Sequence, residues 1–398
     1  MEKTVEHVHY ILDGKLGAIN ALDDLSPLEN GRVAWLLQTE LADRGALSRI
    51  HLAGGGRDLA RDVDTLIQAP ETQIVFFMPV AGDPREAEKL AELRSKIRRD
   101  RKDLYLVLAS QTSGASAEDQ YATALDMMKS NHANLVLAHD KQTGLNMVVV
   151  PEEAYYAKTA DVKEAVGWLA KIATARAGLT FTHSTVLADA PLVPWQSPEI
   201  STNLRDVVNF AVDQGAFKTF RGRTAGHFAL RGAHEGEFLT SGRGRNFNRL
   251  SETGLVRVFA KGSEEVVAHG VKPSVGGQSQ RIIFGLNPQL SNIVHFHCPM
   301  LSRPANSIPV REQWPYECGS HECGKNTADG LREVSPGIHA VMLENHGPNI
   351  VFGNEIPAPA VIDFIRRNFD LQSKTGYLFG EPYRGASLAA PSPEKLVL

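Results

Sequence analysis

Two histidines one residue apart, His295 and His297 in NIVHFHCP (292–299), are the side chains of this sequence best suited to chemistry. The segment is apolar enough to form a strand. Side chains alternate across a strand, so the two imidazoles face one side and Phe296 the other. Imidazoles placed this way can both reach one ion at about 2.0–2.1 Å. A third histidine, His346 in LENHGPN, follows a second apolar run at 338–343, and Gly347 permits a tight turn behind it. An isolated HxH pair is more often a pair of satisfied core or surface histidines. The third imidazole behind a second strand favours a metal site instead. Three imidazoles with an open position suit a catalytic divalent ion, a Lewis acid toward a carbonyl or enediolate oxygen.

The elements that must carry these residues follow from composition and pattern. The chain has 398 residues, 42% hydrophobic and 22% charged, and a formal net charge of -4. That balance excludes wholesale disorder and a fibre, and suggests two domains with proper cores. The slight acidity argues against a nucleic-acid-coating protein. No run approaches the roughly 18 apolar residues of a membrane span. The first ten residues have no apolar core of a secretory signal. Three cysteines, Cys298, Cys318 and Cys323, are too few for a disulfide framework. A cytoplasmic location, without membrane or nucleic-acid partners, is the resulting expectation.

Residues 1–178 alternate apolar runs (74–80, 104–109, 135–138) with helical patterns (32–44, 84–101, 117–131, 162–177). This predicts an α/β domain with a doubly wound, mostly parallel sheet. Residues 179–202 contain Pro191, Pro194 and Pro198 and read as a connector. From 203 a helix precedes short glycine-punctuated strands at 226–231, 237–241 and 255–259. A helix at 278–286, the histidine strand at 292–297, the pair 338–343 and 349–352, and a helix at 358–377 follow. Residues 381–398 read as a tail.

Several segments of 203–377 resemble the class II aldolase/adducin family, in the family's order. AGHF (225–228) stands where the family has a Gly-Asn phosphate turn. FLTSGRG (238–244) resembles its Ser-Gly anion loop. KPSVGGQSQ (272–280) resembles the P-S-S-E turn, NIVHFHCP the metal strand, and VMLENHGP (341–348) the third-ligand turn. The resemblance implies an α/β/α domain around a mainly antiparallel sheet. It also implies a divalent metal, usually zinc, on His295, His297 and His346, and anion contacts at Gly226, Ser241, Gly242 and Ser274. Exposed backbone N–H groups in such turns make anion nests. The family's Glu after the paired serines is missing: Val275, Gly276, Gly277 and Gln278 occupy that place, and His227 replaces the Asn of the phosphate turn. Candidates for the lost proton-transfer group are Glu317 and Glu322 in YECGSHECGKN, Glu344, Tyr316, and a tail tyrosine, Tyr377 or Tyr383. Cys318 and Cys323 with His321 between them are loosely spaced for a structural zinc. A glycine-rich loop over the metal, with Cys318-Gly319-Ser320 near substrate, is the preferred reading, and a simple surface loop is the alternative.

The N-terminal domain resembles, more weakly, the phosphopantothenoylcysteine synthetase family, a Rossmann-like fold that binds a nucleoside triphosphate. ENGRVAWLLQTELADRGA (29–46), VFFMPVAGDPR (75–85), KIRR (96–99) and NLVLAHDKQ (134–142) carry the likeness. It implies a nucleotide near Ala138, His139, Asp140 and Lys96. His139 stands where that family has a key Asn. DGKLG (13–17) and Gly54-Gly55-Gly56 read as ordinary turns after strands. The combined expectation is a metal-dependent lyase or isomerase acting on a small phosphorylated, or otherwise anionic, hydroxy-carbonyl compound. The alternatives are an adducin-like scaffold without turnover, and a nucleotide-dependent ligase. Likeness to class II aldolases also implies a homo-oligomer, a dimer or tetramer.

Overall fold

The computed structural model describes residues 8–13, 30–44, 48–53, 59–78, 84–152, 154–220, 223–262, 265–274, 277–378 and 381–384. The glycine turns at 14–17 and 54–56, Val275, Gly276 and the tail from 385 lie outside the described residues, as do the side chains of Gln278, Tyr377 and Tyr383. The chain divides into two compact units, Met1–Gly178 and Leu179–Tyr377, each with a short C-terminal addition.

In the first unit the chain runs β1 (Val8–Asp13), α1 (Asn30–Asp43), β2 (Ser48–Ala53), α2 (Leu59–Gln68), β3 (Ile74–Phe77), α3 (Pro84–Asp100), β4 (Tyr105–Thr112), α4 (Ala117–Ser130), β5 (Leu135–Asp140), β6 (Asn146–Val150), β7 (Ala154–Thr159) and α5 (Val162–Arg176). The sheet order is β2-β1-β3-β4-β5-β6-β7. The first five strands are parallel, and β6 and β7 continue the sheet antiparallel. β3 and β5 are buried along their whole length, as continuous apolar runs in a covered sheet should be. α3 buries Leu90, Leu93 and Ile97 and exposes its charges, which fixes its face on the sheet.

Asp140 ends β5 and holds the neighbouring loops. Its carboxylate accepts from the hydroxyls of Thr112 and Thr143 and from the backbone N–H groups of Gly114, Ala115, Gln142 and Thr143, all at 2.8–3.1 Å. Burial alone would push this carboxyl up. The hydrogen bonds from Thr143, Ala115, Thr112 and Gly114 outweigh it and hold the carboxyl well below the usual carboxylate range. A depressed folded pKa gives stability that is complete above the unfolded value of about 3.9 and is lost as pH falls below it. The Asp140→Asn variant should therefore melt several degrees lower at pH 7, because an amide N–H2 then faces N–H donors. Its first unit should also show a flatter loss of stability below about pH 4, read by circular dichroism melts across pH.

The second unit begins with β8 (His183–Leu187) and α6 (Thr202–Asp213), so the proline-rich connector contributes an edge strand. β9 (Thr219–Phe220) and β10 (Arg223–Thr224) pair locally. Then come β11 (His227–Arg231), β12 (Glu237–Thr240), α7 (Leu250–Thr253), β13 (Val256–Lys261), β14 (Glu265–His269), α8 (Gly277–Leu286), β15 (Asn292–His295), β16 (Val310–Arg311), α9 (His321–Gly330), β17 (Arg332–Ser335), β18 (Ile338–Leu343), β19 (Gly347–Phe352), α10 (Ala358–Asn368), β20 (Ser373–Leu378) and β21 (Glu381–Arg384). The large sheet runs β16-β18-β19-β15-β11-β12-β13-β14-β8, with β17 on β18; only its two outermost pairings are parallel.

Two apolar layers sandwich this sheet. One holds Phe228, Leu230, Val294, Phe296 and Ile350 against α6 and α10, through Leu204, Val208, Val361 and Ile365. The other holds Ala229, Phe238, Ile293 and Val351 against α8 and α9, through Ile283, Phe284 and Ala328. This is the expected α/β/α layering. Among the described residues no helix is long and apolar enough to cross a membrane.

Two local expectations are corrected. The helix placed at 358–377 stops at Asn368, because Phe369 is extended and the Asp370 side chain accepts from the backbone N–H groups of Gln372 and Ser373. The chain then forms β20. The supposed glycine-rich loop around Cys323 is instead the helix α9. Ser320 caps it by accepting from Cys323 N–H at 3.0 Å, and Glu322 lies in its first turn.

Candidate metal centre

Register builds the centre. Val294 and Phe296 pack in the α6/α10 layer, so His295 and His297 project to the α8/α9 side. The ladder ends at His295, two residues earlier than expected, yet the alternation persists through buried His297. Both flanking strands approach this segment through glycine. A Cβ on Gly226 would lie 2.5 Å from His295 O, and one on Gly347 would lie 2.1 Å from Phe296 O. Their φ angles, +105° and +147°, also favour glycine.

His346 sits in the turn of the β18–β19 hairpin, between paired Leu343 and Gly347. Asn345 takes φ 54°, a left-handed position that Asn tolerates. β20 ties the two histidine segments together. The Thr375 N–H donates to His297 O at 3.0 Å, and its hydroxyl donates to His346 O at 2.5 Å. No sequence pattern pointed to Thr375; its role appears only once residues 373–378 are seen as a strand.

His295, His297 and His346 are all buried, and their candidate ligand atoms lie within 4.8 Å of one another. His295 Nδ1 is 2.8 Å from Pro348 O. A carbonyl only accepts, so Nδ1 carries the proton and Nε2 keeps its lone pair for a ligand. Burial pushes His295 down to about 4. Burial, then the neighbouring His346 and His295, push His297 well below its ordinary value. His295 and His297 are thus neutral near pH 7, the form that binds metal. The donor set and its convergence fit a divalent ion.

A fourth imidazole joins them. His227 pairs in register with His295, their ring centroids 4.7 Å apart, and Gln280 Nε2 lies 2.7 Å from His227 Nδ1. Burial and the two nearby histidines hold His227 well below its ordinary value. From sequence His227 marked a substitution in an anion turn; strand register shows it as part of the histidine cluster. Lys374, also buried, adds a positive charge that acts on His297.

The anion turns meet one another. Gly242 bridges to Pro273, and Ser274 N–H donates to Ser241 O at 2.9 Å. Backbone N–H groups expected to face an anion are partly consumed: Ser241 N–H donates to Phe228 O and Arg243 N–H to Lys272 O. The Ser241 hydroxyl, buried, has no hydrogen-bond partner among the described residues. Arg223, Arg243, Arg245 and Lys272 surround this loop. A Cβ on Gly242 would touch Arg245, and one on Gly244 would touch Arg223. Burial and the charge of Arg243 lower the Lys272 ammonium.

The remaining sequence candidates are placed as follows. Tyr316 and Glu317 are half-buried in the turn before α9. Glu322 accepts from Thr180 N–H at 3.0 Å, and Glu344 is exposed. Tyr377 lies on β20 with its side chain outside the described set. Among the described residues no carboxylate joins the histidine group. Cys323 is buried against Gln313, and His321 Nε2 is 3.4 Å from an Arg281 nitrogen, so Cys318, His321 and Cys323 form no metal-binding group there. In the first unit, Ala138 is fully buried. His139 Nδ1 lies 3.0 Å from Asn146 Oδ1, with its pKa lowered chiefly by burial. Lys96 is ion-paired with Asp64.

Residues 214–358 match the family model of the Class II Aldolase and Adducin N-terminal domain. The C-terminal region thus resembles the class II aldolase/adducin family, as the histidine and glycine motifs implied. Among solved structures, an L-fuculose 1-phosphate aldolase is 16% identical, covering 42% of this chain and 84% of its own, with a TM-score of 0.32. An aldolase II superfamily protein from Pseudomonas syringae is 16% identical over 43% of this chain and 72% of its own, with a TM-score of 0.28. The N-terminal part resembles the DNA/pantothenate metabolism flavoprotein from Streptococcus pneumoniae, at 12% identity over 42% of this chain and 96% of that one, with a TM-score of 0.30. No curated protein sequence matches the chain.

Proposed function

We propose that the second unit is a metal-dependent lyase or isomerase of the class II aldolase type, acting on a small, phosphorylated hydroxy-carbonyl compound. The observation that carries this reading is the convergence of three buried imidazoles, His295, His297 and His346, within the segment that matches the family model. A divalent ion bound there, zinc by family habit, supplies Lewis-acid polarisation of a carbonyl oxygen. Pro348 O and Thr375 hold the imidazoles and their backbone in place. Ser241, Gly242 and Ser274, with the arginines around them, bind and orient the anionic end of the substrate. Gly226 lets the β11 turn approach the histidine strand. Tyr316 and Glu317, in the turn that also carries Cys318, are the proton-transfer candidates this reading retains; Tyr377 on β20 is the third. Glu322 is engaged in anchoring Thr180.

A scaffold without turnover is the second reading. It is favoured by one observation, that no carboxylate joins the histidine group among the described residues. A nucleotide-dependent ligase in the first unit draws less support, since the six donors on Asp140 fill the acceptor capacity of its carboxylate.

The deciding experiment is an assay of the full chain on a set of phosphorylated hydroxy-ketones and hydroxy-acids, scoring aldehyde release and epimer formation. The lyase or isomerase reading expects turnover that a chelator removes and a divalent ion restores. Turnover indifferent to the chelator contradicts the metal assignment, and no turnover on any substrate favours the scaffold.

A further inference from the structure

We propose that Cys318 is the fourth protein ligand of the centre, so that before substrate binds the ion is held by three imidazoles and one thiolate, and a substrate oxygen then joins as a fifth ligand. The inference rests on the metal-centre reading above and adds to it the group that stands in for the lost carboxylate. Cys318 Sγ lies 3.0 Å from His346 Nε2, in contact with a ring of the triad.

Charge supplies the second argument. Three imidazoles bring no negative charge, and among the described residues no carboxylate completes the group. A divalent ion would bring two positive charges into this buried group of side chains. Concentrated like charge in a buried site is costly unless an anion joins it. Cys318 is the group at hand that becomes an anion on metal binding: the S–H bond gives way to a sulfur–metal bond and the proton leaves to solvent.

The surrounding loop is built to hold a sulfur. Gln313 is fully buried, and its amide donates to Tyr316 O at 2.9 Å. The same nitrogen lies 3.9 Å from Cys318 Sγ. Gly319, with φ 90°, turns the chain directly into the Ser320 cap of α9, and His321 N–H donates to Thr180 O at 2.8 Å. Cys318 is therefore carried on an anchored turn. Its thiol stands beside the triad rather than within the group of three, so the proposal requires a rotation about its Cα–Cβ bond. Tetrahedral ligation would leave sulfur and nitrogen about 3.5 Å apart, slightly further than in the present contact. The competing arrangement has His346 bind the ion through Nδ1, with Cys318 outside the first shell, orienting the ring.

X-ray absorption at the zinc edge of the zinc-loaded full chain separates these. Ligation predicts one sulfur at about 2.3 Å beside nitrogens at about 2.0–2.1 Å. In the cobalt(II)-loaded protein it predicts a thiolate-to-metal charge-transfer band that Cys318→Ser removes and Cys323→Ser keeps. Cys318→Ser should bind zinc at least about 10- to 100-fold more weakly while melting like the parent without metal. A shell of nitrogen and oxygen only, or a cobalt band that survives Cys318→Ser, overturns the proposal and leaves the three-histidine centre standing. A protein that takes up no ion at all contradicts the centre itself.

Discussion

Replacing His297 with alanine should strip the protein of its divalent ion and lower turnover by about 10³-fold or more. A Lewis acid at a developing oxyanion contributes several kcal/mol to the transition state, and each 1.36 kcal/mol is about tenfold in rate. His297 is buried, neutral, and its ring centroid is 4.4 Å from that of His346. Its loss leaves two imidazoles of the triad, and even with the Cys318 thiolate the ion is one protein ligand short and open to a chelator. Its backbone carbonyl still accepts from Thr375, so the fold should persist. Metal content by elemental analysis and rate on an active substrate check this together; retained metal with retained rate would contradict it.

Gly347→Ala should be the most damaging change that removes no ligand. The new methyl would lie 2.1 Å from Phe296 O and 3.2 Å from His297 Cα, both backbone atoms that cannot swing aside. The φ of +147° adds strain for any L side chain. Overpacking of this kind costs about 1–3 kcal/mol and the backbone strain about 1–2 more. For a unit of this size each kcal/mol lowers Tm by about 2–4 °C, so a fall of about 5–15 °C is expected. Because His346 precedes Gly347 and His297 follows Phe296, the forced separation should also weaken metal binding. Gly262→Ala is the control: its φ is also positive, but nothing lies within 4 Å of the added methyl, so only a small loss is expected. Equal melting of the two variants would show that the close approach at Gly347 has no special weight.

The sequence revealed most where a pattern is local. β18 falls where its apolar run places it, and α3, α4 and α5 are offset by one residue at most. The triad was legible because the HxH spacing and the histidine behind a strand each have a geometric meaning alone. What stayed hidden depends on pairing between distant segments. His227 reads as a changed anion-turn residue until β11 pairs with β15 and sets it beside His295. Thr375 and Lys374 were assigned to a helix, because the helical pattern of α10 runs on past Phe369 and the Asp370 turn that stops it is a side-chain hydrogen bond. α9 was taken for a loop because its Gly324 and Gly330 disfavour a helix in isolation. Gly324 is needed where α8 passes: a Cβ there would lie 2.9 Å from Ser279 Cα. The antiparallel β6 and β7 are not legible because the alternation up to 140 predicts only parallel strands, and the direction of a following strand depends on its pairing partner.

The most direct test is a crystal of the metal-loaded full chain measured on both sides of the zinc absorption edge. The account predicts one anomalous peak in the second unit, within ligand distance of His295 Nε2 and of a ring nitrogen on both His297 and His346. An anomalous map with no peak among those three rings, or three rings turned away from one another, would contradict it.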